Sequence, residues 1–440
     1  MNVDRATETN LLAKPWVQLA AGVVCMACVA NLQYGWTLFV NPIESKYHWK
    51  VEAIQVAFTL FVLLETSLNP VAGYLGDRFG PRRVMLAAAS LVACAWLLNS
   101  MATSLDVLYL GGALGGMGTG FVYGICMGNA LKWFPSRRGL AAGLTAAGYG
   151  AGAAITVGPI ATMIHSSGYE HAFAVFGLIQ GGIVAITSSL MLPAPVSLQT
   201  ARFNPEQTRR DYSPSEVLRN PIFYIMYLVY VMVAFGGLTL AASVAPIAKD
   251  MQVDSATLRI AGMSLPAVVL ALDLNRLCDG IGRPFFGWVS DRIGRELTMA
   301  LGAIIGAAAL LMLDSYGTYP LSFVLLTALY FGVYGEIFSL FPATAADTFG
   351  ARFATVNVGM LYTAKGTASL LVPAAVWLAR SQGWSTVFIL SMCLNLLAAL
   401  LAVFVLAPLR ERHFSQAQRS SGAVFRVAAP DSRRRSREGA

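Results

Sequence analysis

The chain has 440 residues, of which 56% are hydrophobic and only 12% charged. A soluble domain carries about 25% charged residues, so too few polar side chains remain to cover a water-facing surface of this size. The net charge of +8 would suit a nucleic-acid binder. The basic residues, however, lie in short segments between apolar blocks, where they act as topology signals, and no nucleic-acid partner is expected.

A bilayer crossing takes about 20 predominantly apolar residues. Hydrocarbon satisfies no free backbone group, so each crossing is a helix. On this rule the sequence predicts twelve spans, at 16–40, 51–75, 83–101, 105–131, 138–163, 171–193, 221–248, 258–288, 297–313, 319–346, 353–379 and 385–407. The first follows Lys14 and is too long for a secretory signal. The fold class is all-α integral membrane, with a six-helix bundle at 1–193, a Pro-containing cytoplasmic linker at 194–220, a second six-helix bundle at 221–407 and a basic, disordered cytoplasmic tail at 408–440. With the N-terminus in the cytoplasm, 23 of the 31 Lys and Arg residues fall on cytoplasmic segments and 5 on the opposite side. That asymmetry predicts both termini inside. Cys25 and Cys28 have a C-x-x-C spacing, but on a spanning helix, where packing is their expected role. The four His residues have no ligand spacing. Neither metal nor cofactor is expected, and no nucleophile–base pair or phosphate loop suggests an enzyme.

The two halves repeat. Gly73-x-x-x-Asp77-Arg78-x-Gly80 follows the second span, and Gly287-x-x-x-Asp291-Arg292-x-Gly294 follows the eighth, an offset of 214 residues. The glycines suit a tight turn and close helix approach. Each aspartate can sit at a helix end and pair with nearby arginines. A looser pair is Trp133-Phe-Pro135 and Leu340-Phe-Pro342, offset by 207. The duplicated loop resembles the signature of the major facilitator superfamily, with Pro81 in the first copy where that superfamily usually has Arg. The resemblance implies twelve helices in two six-helix bundles around one central site. It also implies that the third and sixth helices of each half face lipid, and the interiors of spans three, six, nine and twelve carry no charge.

An ionisable residue at membrane depth costs several kcal/mol and is a functional candidate. Lys365 lies near the middle of its span, with no acid within one helical turn. Arg283 lies about 9 Å inside the end of span eight at ~1.5 Å per residue, with Asp279 one turn earlier. Arg276 is expected to pair with Asp273 or Asp279. Glu65 and Glu336 are buried by position, and Glu336, placed near the presumed cavity, is the better candidate proton site. Gln33, Tyr34, Gln55, Tyr123, Tyr149, Tyr334 and Tyr362 stand mid-span on Gly-rich helices. With two cations they describe an aromatic-walled box suited to a small flat anion.

The local sequences resemble the oxalate/formate antiporters. The resemblance is carried by Leu32-Gln-Tyr-Gly-Trp-Thr-Leu, Ile54-Gln-Val-Ala-Phe-Thr-Leu, Val122-Tyr-Gly-Ile, Thr145-Ala-Ala-Gly-Tyr-Gly, Arg283-Pro-Phe-Phe-Gly and Thr363-Ala-Lys-Gly-Thr-Ala-Ser. It implies that Arg283 and Lys365 bind the two carboxylates of oxalate. It also implies an aromatic box of Tyr34, Tyr123, Tyr149, Tyr334 and Tyr362, lined by Gln33 and Gln55. Phe338 stands where that family has a tyrosine. The expected function is exchange of oxalate for formate by a monomer in a bacterial inner membrane, with lipid as its other partner. Two uncompensated cations would repel in the empty carrier, and a bound dicarboxylate would relieve them. The alternative is a proton-coupled monocarboxylate carrier using Glu336 or Asp279.

Overall fold

The computed structural model describes residues 11–200, 207–208, 210–260 and 263–415. The first span is broken into α1 (Pro15–Val29), α2 (Asn31–Tyr34) and α3 (Thr37–Tyr47). The second is α4 (Val51–Ser67) with α5 (Asn69–Phe79), bent by 45° where Pro70 enters the first turn of α5. Proline has no N–H to give the preceding turn, so the chain bends there. Then come α6 (Pro81–Ser100), α7 (Leu105–Trp133), α8 (Arg138–Ser167) and α9 (Tyr169–Ser189). Two short helices follow, α10 (Val196–Thr200) and α11 (Pro214–Val217).

The second half opens with α12 (Pro221–Asp250). An antiparallel hairpin of β1 (Thr257–Ile260) and β2 (Met263–Pro266), with Leu258 opposite Leu265, precedes α13 (Ala267–Ile293). Next are α14 (Arg295–Tyr316), a broken span of α15 (Pro320–Tyr334) and α16 (Ile337–Phe349), then α17 (Ala354–Gln382) and α18 (Trp384–Leu401). A π-helical turn at Ala402–Leu406 follows α18, and the same rod stays helical to Ser415.

Twelve helical rods lie where the twelve crossings were expected. Among the described residues, nine helices are long and apolar enough to span a bilayer, and α4 with α5 makes a tenth. The remaining two, α13 and α17, carry charged residues in mid-helix. Two expected boundaries move. The eighth span was expected from 258, but that stretch is the hairpin, and the helix starts at Ala267. The basic tail was expected to be disordered from 408, but residues up to Ser415 are helical. There Arg410 is buried and pairs with Glu296. The tail beyond Ser415 and linker positions 201–206 and 209 lie outside the described residues.

Burial separates central from peripheral helices. The apolar window of α7 is 78% buried, against 44% for α6 and for α9 and 33% for the last rod. This fits lipid-facing third, sixth and twelfth helices. The ninth, at 56%, is no more exposed than the fifth. A glycine seam locks the centre of the first half. Gly112, Gly116, Gly120 and Gly124 on α7 meet Ala57, Phe61, Glu65 and Asn69 on α4 and α5. Both rows advance by four residues, so the two ridges mesh along one line. Asn69 Nδ2 also donates to the Gly120 carbonyl at 3.1 Å. The two halves touch where α8 meets α13 and α5 meets α17, at the face that carries the repeated loops. We call this the basic face.

Candidate functional site

The broken and charged helices converge on a central chamber. Arg283 projects from α13 and is buried. Its guanidinium grips Asp279, one turn earlier, through Nε at 3.2 Å and Nη2 at 2.6 Å. Nη1 donates across the half interface to the carbonyl of Ala146 on α8, at 2.8 Å. The ring of Phe338 lies 4.4 Å from the guanidinium carbon. Gly335, at the break between α15 and α16, lets this cluster close up: a Cβ there would sit 3.0 Å from Arg283 Cγ and from Asp279 Oδ1.

Lys365 projects from α17 and is equally enclosed. Its Nζ lies 3.2 Å and 3.3 Å from the two carboxylate oxygens of Glu65 on α4, and donates to Tyr362 Oη at 3.0 Å. Tyr362 Oη in turn donates to Glu65 at 3.2 Å. Both cations therefore reach across from the second half to the first. An aromatic chain joins the chamber. Tyr362 stacks on Tyr123 at 4.3 Å, Tyr123 meets Tyr149 edge-on at 6.1 Å, and Tyr149 meets Tyr34 at 5.4 Å. Tyr149 Oη donates to Gln33 Oε1 at 2.9 Å. Tyr334 packs against Gly237 and Phe338. Its buried hydroxyl has no partner among the described residues.

Several expectations need correction. The two cations are not uncompensated: each meets a buried carboxylate, so the charges of the chamber are balanced pairwise. Sequence placed no acid near Lys365 because its partner lies 300 positions away. Arg276 forms no ion pair among the described residues. Its guanidinium instead lies over Tyr34, 4.4 Å from the ring centre, in a cation–π contact. Glu336 does not face the chamber. Its buried carboxyl lies against Gly302 of α14, while the adjacent Gly335 faces Arg283. Gln55 accepts from Trp36 Nε1 at 3.2 Å rather than from a tyrosine of the aromatic chain.

The basic face is sealed by the repeated loops. Gly80 and Gly294 have φ of 83° and 97°, the left-handed region that favours glycine. Gly73 packs so closely on Val356 of α17, and Gly287 on Gly139 of α8, that a Cβ at either would collide with backbone. The aspartates then cross between halves. Asp77 Oδ2 accepts from the Val356 backbone N–H at 3.2 Å, and Asp77 also pairs with Lys132. Asp291 accepts from the N–H groups of Gly139 and Leu140, both at 2.9 Å. These are the first residues of α17 and α8, whose free N–H groups and positive dipole ends suit a carboxylate.

The aspartates were expected to pair with nearby arginines, and Asp291 does so, but neither Arg78 nor Arg292 makes an ion pair among the described residues. Arg78 donates to Tyr74 Oη at 2.9 Å, and Arg292 lies over Trp288 at 3.9 Å. Asp291 pairs with Arg295 at 2.8 Å instead. Arg295 and Arg138 both reach Asp347, at 2.9 Å and 2.8 Å. The sequence reading had not singled out this network. The looser repeat fails in space: Phe134 and Pro135 follow the end of α7, whereas Phe341 and Pro342 lie inside α16. The arrangement offers two buried cations at mid-span, Arg283 with donors to spare, and a closed gate on one face.

Comparison with known proteins agrees with this geometry. A sequence model described as "Major Facilitator Superfamily" matches residues 23–283 and 274–436. The chain is 33% identical over 409 residues to the "Oxalate:formate antiporter" of Oxalobacter formigenes, covering 92% of this chain and 94% of that one. It is 31% identical to an "Uncharacterized 38 kDa protein in 23S RNA operon" of Thermoproteus tenax, over 87% of this chain and 93% of the relative. The solved structure of the proton:xylose symporter XylE superposes with a TM-score of 0.68 at 12% identity, covering 90% of this chain and 96% of the symporter. The protein is a multi-pass membrane transporter, and the chain belongs to the oxalate/formate antiporter family of the Major Facilitator Superfamily.

Proposed function

We propose that this transporter exchanges small carboxylate anions, oxalate for formate, across a bacterial inner membrane by alternating access. The observation that carries the reading is the pair of buried cations, Arg283 and Lys365, placed at mid-span among tyrosines and each bridging the halves. A guanidinium has five N–H donors, and Asp279 and Ala146 take only part of them. Lys365 turns its three N–H groups to the two Glu65 oxygens and to Tyr362, so a substrate carboxylate takes a donor over from Glu65. A flat dicarboxylate can use the spare donors of Arg283 and this exchanged one, with the tyrosine hydroxyls closing the remaining lone pairs. Substrate then competes with Glu65 and Asp279, and an anion bound across the halves couples its release to their rocking. The basic face is the cytoplasmic one in this reading, so the described conformation is closed to the cytoplasm.

One observation favours a second reading. Glu65 and Asp279 are carboxylates that hold the two cations when no anion is bound. Proton uptake by either would free its cation, which is the chemistry of a proton-coupled monocarboxylate carrier. The deciding test is uptake of labelled oxalate into proteoliposomes preloaded with formate, with oxalate or with no permeant anion, each with and without an inward proton gradient. Exchange predicts uptake only into anion-loaded vesicles and little effect of the gradient. Strong gradient-driven accumulation into anion-free vesicles would overturn it and establish proton coupling.

A further inference from the structure

The two loop seals occupy corresponding places but are not balanced alike. Asp77 and Asp291 are related by the offset of 214 residues, as are Pro81 and Arg295, and Arg138 and Arg352. Lys132 stands one residue from the counterpart of Asp347. Around Asp291 the accounts of charge close: Arg138 and Arg295 face Asp291 and Asp347, at 2.8 Å to 2.9 Å. Around Asp77 they do not. The counterpart of Asp347 is Trp133, with Lys132 beside it, and that of Arg295 is a proline. Lys132 and the Arg352 guanidinium then share Asp77, whose oxygens are engaged by Lys132 and the Val356 N–H, while Asp211 accepts from the Arg352 backbone N–H at 3.1 Å and forms no ion pair with its guanidinium among the described residues. Arg352 makes no ion pair among the described residues and lies over the ring of Phe353 at 5.2 Å.

The missing side chains leave room. A cavity of about 170 Å³ opens between the halves here, lined by Asp77, Pro81, Asn129, Lys132, Arg352 and Thr355. Asn129 is 6% exposed, and its amide Nδ2 has no hydrogen-bond partner among the described residues. The space exceeds several times the ~30 Å³ share of one water, which suits a compact oxyanion with its hydration. Arg82 and Arg83 are exposed next to Pro81 and add to the positive field.

We infer that this cavity is a second anion site, distinct from the central chamber, for a small carboxylate or phosphate group that completes the first-half seal. Lys132 belongs to the first half and Arg352 to the second, so an anion held by both clips the basic face shut. Such a ligand binds the closed conformation and not the open one, and therefore biases the carrier toward closure at this face. The same chemistry is available from a free anion or from the phosphate of an anionic lipid. The site does not depend on oxalate being the transported substrate.

The test is hydrogen–deuterium exchange on the full chain in nanodiscs, following the segments 76–83 and 350–356. In phosphatidylcholine discs, titrated inorganic phosphate is expected to slow exchange of both segments. In Arg352→Gln and in the cavity-filling Asn129→Leu, the apparent affinity should fall at least tenfold. Arg352→Lys keeps the charge and should retain protection, which separates loss of the site from misfolding. Glu336→Gln, a buried change away from both sites, should also retain it. Protection already complete in phosphatidylglycerol discs before phosphate is added assigns the site to a lipid headgroup, whereas protection that needs added phosphate assigns it to a free anion. No protection in the unaltered chain, protection that survives Arg352→Gln and Asn129→Leu, or protection lost in Glu336→Gln would each overturn the proposal.

Discussion

The central chamber and the basic-face seal both bury cations against acids, and they differ in what the acids hold. In the chamber, Asp279 and Glu65 grip only side chains, those of Arg283, Lys365 and Tyr362, so the pairs can part without unravelling a helix. In the seal, Asp77 and Asp291 also hold backbone N–H groups at the start of α17 and α8. Charge in the chamber is available to a ligand, while charge in the seal is committed to one arrangement of the halves. Substitutions at the two places should therefore separate binding from turnover.

The largest effect is expected in the chamber. Arg283→Gln and Lys365→Gln should each lower labelled-oxalate exchange at least about 100-fold, equivalent to ~2.7 kcal/mol at 1.36 kcal/mol per tenfold, with membrane insertion unchanged. Removing one partner of a buried pair also costs stability, about 3–5 kcal/mol. Lys365→Gln with Glu65→Gln should accordingly recover thermal stability without recovering exchange. Recovery of exchange by that double variant would reduce Lys365 to a structural partner of Glu65.

A smaller effect is expected in the seal. Asp291→Asn should lower the maximal exchange rate about tenfold, because it loses a charge-assisted bond worth ~1.5–3 kcal/mol at Arg295, with half-saturation changed less than twofold. Asp77→Asn should follow the same pattern at about threefold, since Asp77 holds one backbone N–H where Asp291 holds two. A large rise in half-saturation with an unchanged maximal rate would erase the distinction between seal and chamber.

The smallest effect is expected at Glu336. Its carboxyl lies against Gly302 and away from Arg283. Glu336→Gln keeps the shape of the side chain and alters no group of the chamber, so exchange should stay within about twofold. Its pH profile should overlay that of the unaltered protein. A displaced pH profile would return Glu336 to the transport cycle.

Much of this was legible in the sequence. Arg283 and Lys365 stood out because a charge at membrane depth needs a reason. The loops at Asp77 and Asp291 stood out because small residues recur there at one spacing. Partnership was not legible. Glu65 and Lys365 are brought together only when the two halves close on each other, and no spacing rule spans that distance. Direction was not legible either. Glu336 and Gly335 are adjacent, yet the break between α15 and α16 turns one to α14 and the other to α13. The hairpin at Thr257–Pro266 was read as membrane span because its alternating apolar residues raise the same hydropathy as a helix end. Pro81 was noticed as a departure, but what its ring leaves open beside Lys132 needed coordinates.

The glycine seam between α7 and the α4–α5 pair has a mechanical consequence. Where a single methyl group has no room, two rods cannot slide past each other without lifting apart. The seam runs on both sides of the bend at Leu68, from Ala57 to Asn69, so the bend is splinted against α7 along its length. Glu65 and Asp77 thus ride on one stiff lever, with Glu65 near its middle and Asp77 at its tip. A pull that parts Asp77 from α17 is transmitted to Glu65 with little slack, and draws it from Lys365 in the same stroke. Any residue bulkier than glycine at 116 or 120 would act as a wedge under that lever, loosening the timing between gate and chamber while leaving every charge in place.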